Sequence, residues 1–78
     1  MVVYAVITEV DYSSSPAIGT IELVEETHNQ LPSNEKSTSM NHHYYKEYYS
    51  SREGAIRGCS QTQKAHFDCN INTRAIGW

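Results

Sequence analysis

The chain has 78 residues, of which 38% are hydrophobic and 19% are charged, and its formal net charge is −3. This composition is typical of one folded domain with a small core and excludes a disordered tail. No apolar run approaches the length of a membrane span, and the net acidic charge disfavours a protein that depends on a basic surface. With no signal segment visible, we predict a cytoplasmic protein with reduced cysteines.

The charges are unevenly distributed along the chain. Residues 1–35 contain six acidic residues and no Lys or Arg, whereas residues 36–78 contain six basic and three acidic residues. Two interpretations follow from this asymmetry. Either the folded protein has separate acidic and basic faces, or the two halves neutralise each other across a shared sheet.

The first predicted element is a strand that begins at Val2. Its first half is apolar at both odd and even positions, and Glu9 and Asp11 come only later. A strand that is apolar on both faces is typical of the centre of a sheet. Residues 13–16 then predict a turn, and residues 17–28 a second strand that forms a hairpin with the first. The acidic pairs Glu9–Asp11 and Glu25–Glu26 are interpreted as solvated strand ends whose members face opposite ways.

Residues 29–41 are predicted to form a long loop, because only Leu31 and Met40 in this segment are apolar. A loop of this length in so small a domain is often functional or mobile. Residues 42–49 are predicted to form the third strand, since the run is short and tyrosine favours strands. A helix is the alternative, in which the tyrosines would pair at i, i+4 spacing.

A helix is predicted to follow the tyrosines. Ser50-Ser51-Arg52-Glu53 matches a capping box, in which Ser50 accepts a hydrogen bond from a helical N–H group and Glu53 reaches back. The helix would continue to about Lys64. The residues predicted to face the sheet are Ala55, Ile56, Cys59 and Thr62 or Gln63. Gly54 and Gly58 would let the helix lie close to the sheet, under the tyrosines.

The last predicted element is a half-buried strand over residues 65–75. Its inward side would consist of Ala65, Phe67, Cys69, Ile71, Thr73 and Ala75, and its polar side of His66, Asp68, Asn70, Asn72 and Arg74. The predicted order is therefore β–β–β–α–β: a single α+β domain with a small, mostly antiparallel sheet and one helix packed on one face. If this strand lies at an edge, it can pair with a second copy of the chain.

The sequence predicts neither an enzyme nor a metal or cofactor site. The candidate soft ligands lack the spacing of a metal site; they are His28, His42, His43, Cys59, His66 and Cys69. No phosphate-binding loop and no motif around a nucleophile occurs.

The stretch with the strongest functional signal lies around residues 42–52. It holds four of the six tyrosines beside cationic residues, a composition typical of binding surfaces. The predicted binding residues are Tyr44, Tyr45, Tyr48, Lys46, Arg52, His42, His43 and Trp78. Strand alternation divides the tyrosines, so that either Tyr44 and Tyr48 or Tyr45 and Tyr49 face solvent.

These observations favour a small non-enzymatic binding protein that blocks or modulates a partner protein. Its size resembles that of the accessory proteins of phages and mobile elements, some of which inhibit host or defence factors. One alternative is a homo-oligomer that binds a small anionic or nucleotide-like ligand through His42, His43, stacking tyrosines, Arg52 and the helix N-terminus. The other is a weak binder of single-stranded nucleic acid, for which a basic footprint is missing.

Overall fold

A computed structural model describes residues 1–65 in full and the backbone of residues 70–75. The elements in chain order are β1 (Val2–Asp11), β2 (Ile18–Thr27), β3 (Glu35–Thr38), β4 (His42–Tyr49), α1 (Arg52–Ala65) and β5 (Asn70–Ala75). The strands form one sheet in the order β3-β4-β1-β2-β5. Only β5 pairs in parallel, with β2. The predicted α+β fold, a mostly antiparallel sheet with a helix on one face, is confirmed.

The first strand is the centre of the sheet, as its two-sided apolar pattern predicts. It pairs with β2 on one side and with β4 on the other. Val3 and Ala5 are fully buried on one face, and Val6 and Val10 are fully buried on the other. Because β1 buries apolar side chains on both of its faces, it contributes to the hydrophobic clusters on both sides of the sheet.

The predicted long loop contains an additional strand, β3, so the observed order differs from the predicted one by one strand before the helix. β3 pairs antiparallel with β4, with Glu35 opposite Lys46 and Thr38 opposite His43. All four of its residues are exposed, so it has no apolar alternation by which the sequence could reveal it. Backbone pairing with β4 holds it in place.

The helix begins one residue later than the capping box predicts. The Gly54 N–H group donates to the Ser51 hydroxyl oxygen at 3.1 Å, so Ser51 is the N-terminal cap and the prediction of Ser50 is wrong. The predicted inner face is confirmed for Ala55 and Cys59, which are fully buried, and for Ile56, which packs against the same cluster.

Glycine at position 58 lets the helix approach β4. A Cβ atom there would lie 2.7 Å from Cζ of the Tyr49 ring and closer still to its hydroxyl oxygen. A Cβ at Gly54 would lie 3.6 Å from the same ring, at ordinary contact distance. The prediction that the glycines bring the helix close under a tyrosine is confirmed, and Gly58 is the residue on which this approach depends.

The last strand begins later than predicted, because Ala65 is the final residue of α1 and β5 starts at Asn70. It occupies the edge of the sheet beside β2. Residues 66–69 and 76–78 lie outside the described residues. The predictions for His66, Phe67, Asp68, Cys69 and Trp78 therefore fall there.

Candidate functional site

The two faces of the sheet are covered differently. On one face, here the helix-bearing face, α1 packs against β1, β2 and β4, and Ala55 and Cys59 join Val6, Ile21 and Leu23 in one buried cluster. The opposite face is here the helix-free face. The strand registers place on it Val3, Ala5, Ile7, Glu9 and Asp11 of β1, Ile18, Thr20, Glu22, Val24 and Glu26 of β2, Glu35 and Ser37 of β3, and His42, Tyr44, Lys46 and Tyr48 of β4.

Strand alternation in β4 separates the predicted binding residues. His42, Tyr44, Lys46 and Tyr48 lie on the helix-free face, whereas His43, Tyr45 and Tyr49 lie on the helix-bearing face. Arg52 opens α1, which packs on the helix-bearing face. The structure therefore does not bring these residues onto one continuous surface, and Trp78 is not among the described residues.

Half of the helix-free face is occupied by the protein's own side chains. This closed end consists of Val3, Ala5, Val24 and Tyr48, with His28, Glu26 and Lys46 above them. Tyr48 is only 9% exposed and packs on Val3 and Ala5. Its hydroxyl group donates to Glu35 at 3.1 Å, and the His28 ring meets its ring edge-on with 5.7 Å between centroids. Tyr48 is thus a core residue of this face.

An ion pair covers the closed end. Lys46 Nζ donates to Glu26 Oε2 at 2.8 Å and lies 5.2 Å from the centroid of the Tyr48 ring. The His28 ring donates from Nε2 to the other carboxylate oxygen, also at 2.8 Å. These hydrogen bonds, that from Lys46 first, lower the pKa of Glu26, and the bond to Glu26 raises the pKa of Lys46. Lys46 is therefore engaged within the fold.

The segment after β2 is fastened beside this ion pair. The Asn34 side-chain oxygen accepts a hydrogen bond from the Tyr48 N–H group at 2.9 Å. The His28 N–H group donates to the Met1 carbonyl at 2.9 Å, and the terminal amine donates to the His28 carbonyl at 2.6 Å. Both ends of residues 28–34 are thus tied to the closed end.

The other half of the helix-free face, here the open end, is not filled in this way by the side chains of residues 1–65. Its residues are Glu9, Asp11, Ile18, Thr20, His42 and Tyr44. A cleft of about 250 Å³ lies here, lined by Glu9, Asp11, Ile18, Gly19, Thr20 and His42. Ile18 is 47% exposed, and the Glu9 side chain is 50% exposed with its Oε2 atom 3.6 Å from His42 Nε2. Tyr44 stands opposite Glu9 in the register of β1 and β4.

The carboxylate of Asp11 at the open end is held in its charged form. It accepts hydrogen bonds from the Ser13 hydroxyl at 2.6 Å and from the Ser13 N–H group at 2.9 Å. The bond from the hydroxyl, followed by that from the N–H group, lowers the pKa of Asp11. Because Glu9 and Asp11 are two residues apart in a strand, they share a face. Their interpretation as a pair that faces opposite ways is wrong.

The helix-free face is acidic. Its described side chains include five carboxylates and one ammonium group, and that ammonium group, of Lys46, is paired with Glu26. The register of β5 places Arg74 beside Glu22. Both interpretations of the charge distribution therefore hold in part. The closed end neutralises charge between the two halves of the chain, and the open end keeps Glu9 and Asp11 without a Lys or Arg partner among residues 1–65.

The remaining predicted residues of β4 form an aromatic cluster on the helix-bearing face. The His43 ring meets the Tyr12 ring at 4.8 Å and the Tyr45 ring at 6.2 Å between centroids, and Lys36 Nζ lies 5.8 Å from the Tyr45 ring. The cluster lies beside fully buried Val10, which pairs with His43 in the register. Because His42 and His43 lie on opposite faces, the groups that the anionic-ligand alternative requires do not converge.

Sequence reasoning missed the open end, although a signal for it exists in the hairpin. Once β1 and β2 are paired about the turn at residues 13–16, alternation places Glu9 and Asp11 on the same face as Ile18 and Thr20. In the described part of the chain, no three His, Cys, Asp or Glu side chains group so as to hold a metal ion. The 14-residue α1, the helix that the structure describes, is too short and too polar to cross a membrane.

Comparisons with known proteins give no relative for this chain. No protein-family model, no curated protein and no solved structure matches it.

Proposed function

We propose that this protein is a small non-enzymatic binding protein that occupies the surface of a partner protein and so blocks or modulates it, in the manner of phage and mobile-element accessory proteins. One observation carries this proposal: among the residues that the structure describes, no helix covers one face of the sheet, and side chains of residues 1–65 fill only the closed end of that face. The open end presents Tyr44, the exposed apolar side chain of Ile18, and two carboxylates. Amphipathic aromatics beside apolar and charged groups are typical of protein interfaces.

The dimensions of the molecule suit such a role. Its longer extents are 40 and 24 Å, and its shortest is 15 Å. A sheet face within the two longer extents is large enough for the ~800 Å² that a standard interface buries on each partner. A flat, thin domain can therefore present one broad sheet face, which includes the open end, to a partner protein.

The state of Cys59, the cysteine within residues 1–65, supports a non-enzymatic role. Cys59 is fully buried in the cluster under α1, and burial raises its pKa. Both properties keep the side chain a thiol, whereas a nucleophilic cysteine is an accessible thiolate. Cys59 thus contributes to packing as a small apolar side chain.

Site-specific photo-crosslinking tests this proposal. Tyr44 is replaced by the photoreactive residue p-benzoylphenylalanine, which retains an aromatic ring, and the variant is expressed in cells that carry the native gene. Irradiation is expected to join the open end to one protein of defined mass. The matched control carries the same residue at Arg57, which is exposed on α1.

The proposal fails if position 44 gives no protein adduct, or if positions 44 and 57 give the same adducts at the same yield. In the first case the open end meets no protein, and in the second the contacts are collisions without a preferred surface.

A further inference from the structure

We infer that the partner surface opposite the open end is basic, and that a lysine or arginine side chain of the partner protein enters the cleft beside Glu9 and Asp11. This inference rests on the proposed function and specifies the chemistry of its partner. The occupant is one basic segment of a protein, which is favoured by charge complementarity at the open end.

The first argument is the distribution of charge over the molecule. Lys46 is already bound by Glu26 at the closed end, and Lys36 of β3 lies against the Tyr45 ring on the helix-bearing face. The cationic residues Arg52, Arg57 and Lys64 belong to α1 and therefore to the other side of the sheet. Complementary potentials guide association and suppress wrong partners, so an acidic open end selects a basic surface.

The second argument is the chemistry of the cleft walls. The exposed side chain of Ile18 provides an apolar wall, and the carboxylates of Glu9 and Asp11 provide acceptors. Lysine and arginine have the same two-part character, with an apolar stem and a cationic head. Arginine is also among the side chains that contribute most to binding energy at interfaces.

The third argument is size. The cleft measures about 250 Å³, which is below the ~300–1,000 Å³ of sites that enclose drug-sized molecules. It therefore admits one inserted side chain from a larger surface more readily than a free ligand. The same carboxylates repel phosphate groups, which disfavours a nucleic acid at this end.

A second copy of the chain is disfavoured by symmetry. In a two-fold dimer the same patch meets itself, so the Glu9 and Asp11 pairs of two copies would face one another. Like charges placed opposite one another across an interface weaken it.

The test is an NMR titration of the ¹⁵N-labelled full chain with an acetylated, amidated nona-arginine peptide at low salt. The peptide is expected to shift the amide signals of Gly19, Thr20 and His42 in particular. The double variant Glu9→Gln/Asp11→Asn is expected to bind about tenfold more weakly. The amide introduced by Asp11→Asn retains an oxygen that can accept the hydrogen bonds from Ser13, and signal dispersion confirms that the variant is folded.

The matched control is Glu25→Gln/Glu53→Gln, which removes the same charge from the exposed residue Glu25 of the helix-bearing face and from the exposed residue Glu53 of α1. It is expected to bind within about twofold of the parent chain, since it leaves the open end intact. If both double variants bind the peptide equally weakly, the peptide responds to net charge alone, and the inference is overturned. Shifts confined to the helix-bearing face would overturn it as well.

Two further outcomes separate this inference from the function on which it rests. If the partner crosslinked through position 44 is retained equally by Glu9→Gln/Asp11→Asn, the partner is not recognised by its charge, and the inference fails while the proposed function stands. If peptide binding follows the prediction but position 44 captures no protein, the proposed function fails instead. Movement of the open-end signals with protein concentration alone would identify a second copy as the occupant and overturn the inference.

Discussion

Tyr48 and Tyr49 are neighbours in β4 and bury opposite sides of the same central strand, but different kinds of contact hold them. Tyr49 lies against Gly58 of α1 and packs on the cluster that contains Val6. Tyr48 lies over Val3 and Ala5 and is covered by Lys46 and His28. Tyr49 is covered by the buried face of α1, and Tyr48 is covered by the polar side chains of Lys46 and His28, which both pair with Glu26.

The difference shows how the described part of a short chain buries apolar side chains on both faces of a sheet although α1 packs on one face. Long polar side chains can bury their apolar stems while their polar heads pair with one another. Such a cover is narrower than a helix, so the described side chains that cover the closed end do not extend to the open end. It also depends on protonation, whereas the packing of Tyr49 against glycine does not.

The largest loss of stability is expected when Tyr48 or Tyr49 is truncated. Tyr48→Ala and Tyr49→Ala are each expected to lower the free energy of unfolding by about 3–5 kcal/mol, because both remove a large side chain from a packed cluster. Tyr44→Ala at the open end serves as the control and should cost less than about 1 kcal/mol. Urea unfolding followed by circular dichroism measures all three. If Tyr48→Ala were as mild as Tyr44→Ala, the closed end would not be a second core.

A smaller effect is expected from closing the gap between α1 and β4. Gly58→Ala places a methyl group against the rigid Tyr49 ring and should destabilise the protein by about 1–2 kcal/mol, after the gain in helix propensity is allowed for. Gly54→Ala is the matched control. Its added methyl group would lie 3.0 Å from the Ser51 hydroxyl oxygen, which needs to shift by only a few tenths of an ångström and can still accept the hydrogen bond from the N–H group of residue 54. The gain in helix propensity should therefore dominate, and the change should be neutral or stabilising.

Thermal unfolding distinguishes the two glycines by the sign of the change. Equal stabilisation by Gly54→Ala and Gly58→Ala would show that Tyr49 moves aside freely and that the close approach is not a constraint.

Much of this fold could be predicted from its periodicities. The two-sided apolar pattern of β1 indicates a central strand, and the boundaries of β4 follow from the tyrosine run itself. The strand β3 could not be predicted, because an exposed strand held by backbone hydrogen bonds carries no side-chain pattern. The predicted cap lies one residue before the observed cap at Ser51, since either serine can cap a helix and only Ser50 has a glutamate three residues later.

The candidate site was less predictable than the fold. Composition indicates the tyrosine run as a binding surface, but strand alternation places Tyr44 and Tyr45 on opposite faces. Lys46 is bound by Glu26, which is remote from it in sequence, and is therefore largely buried. The open end joins residues of three strands, so it requires the hairpin register and the pairing of β1 with β4 together. Such tertiary contacts are not encoded in any single segment.

Low pH should reduce the stabilisation that the Glu26 ion pair gives to the closed end. Glu26 has a lowered pKa in the folded protein because Lys46, and then His28, donate hydrogen bonds to it. Its contribution is therefore present above the unfolded pKa and lost as pH falls through the folded one. The pKa of Lys46 is raised, so its contribution is lost only in strong alkali. Glu26→Gln should lower the free energy of unfolding by about 1 kcal/mol at neutral pH, a value that allows for the partial exposure of the ion pair.

The measurement compares urea unfolding of the parent chain and Glu26→Gln at neutral pH and near pH 3, where an unpaired glutamate is protonated. The difference between the two proteins should shrink towards zero in acid. Glu25→Gln, which changes the adjacent exposed residue of β2, should show no such convergence. A difference that stays constant over this range would show that the ion pair does not stabilise the closed end.

The smallest change in stability is expected from a substitution at Thr8, which tests whether polar contacts help to stabilise the helix-bearing face. Thr8 is fully buried on that face, and its hydroxyl is the buried side-chain oxygen within residues 1–65 that has no hydrogen-bond partner. An unpaired buried hydroxyl is costly, and valine has nearly the same shape. Thr8→Val should therefore stabilise the protein by about 0.5–1 kcal/mol, whereas Thr20→Val, at the partly exposed open end, should change stability by less than about 0.5 kcal/mol. Loss of stability in Thr8→Val would mean that the hydroxyl is paired in solution, and that polar contacts support both sides of β1 and not only the side under Tyr48.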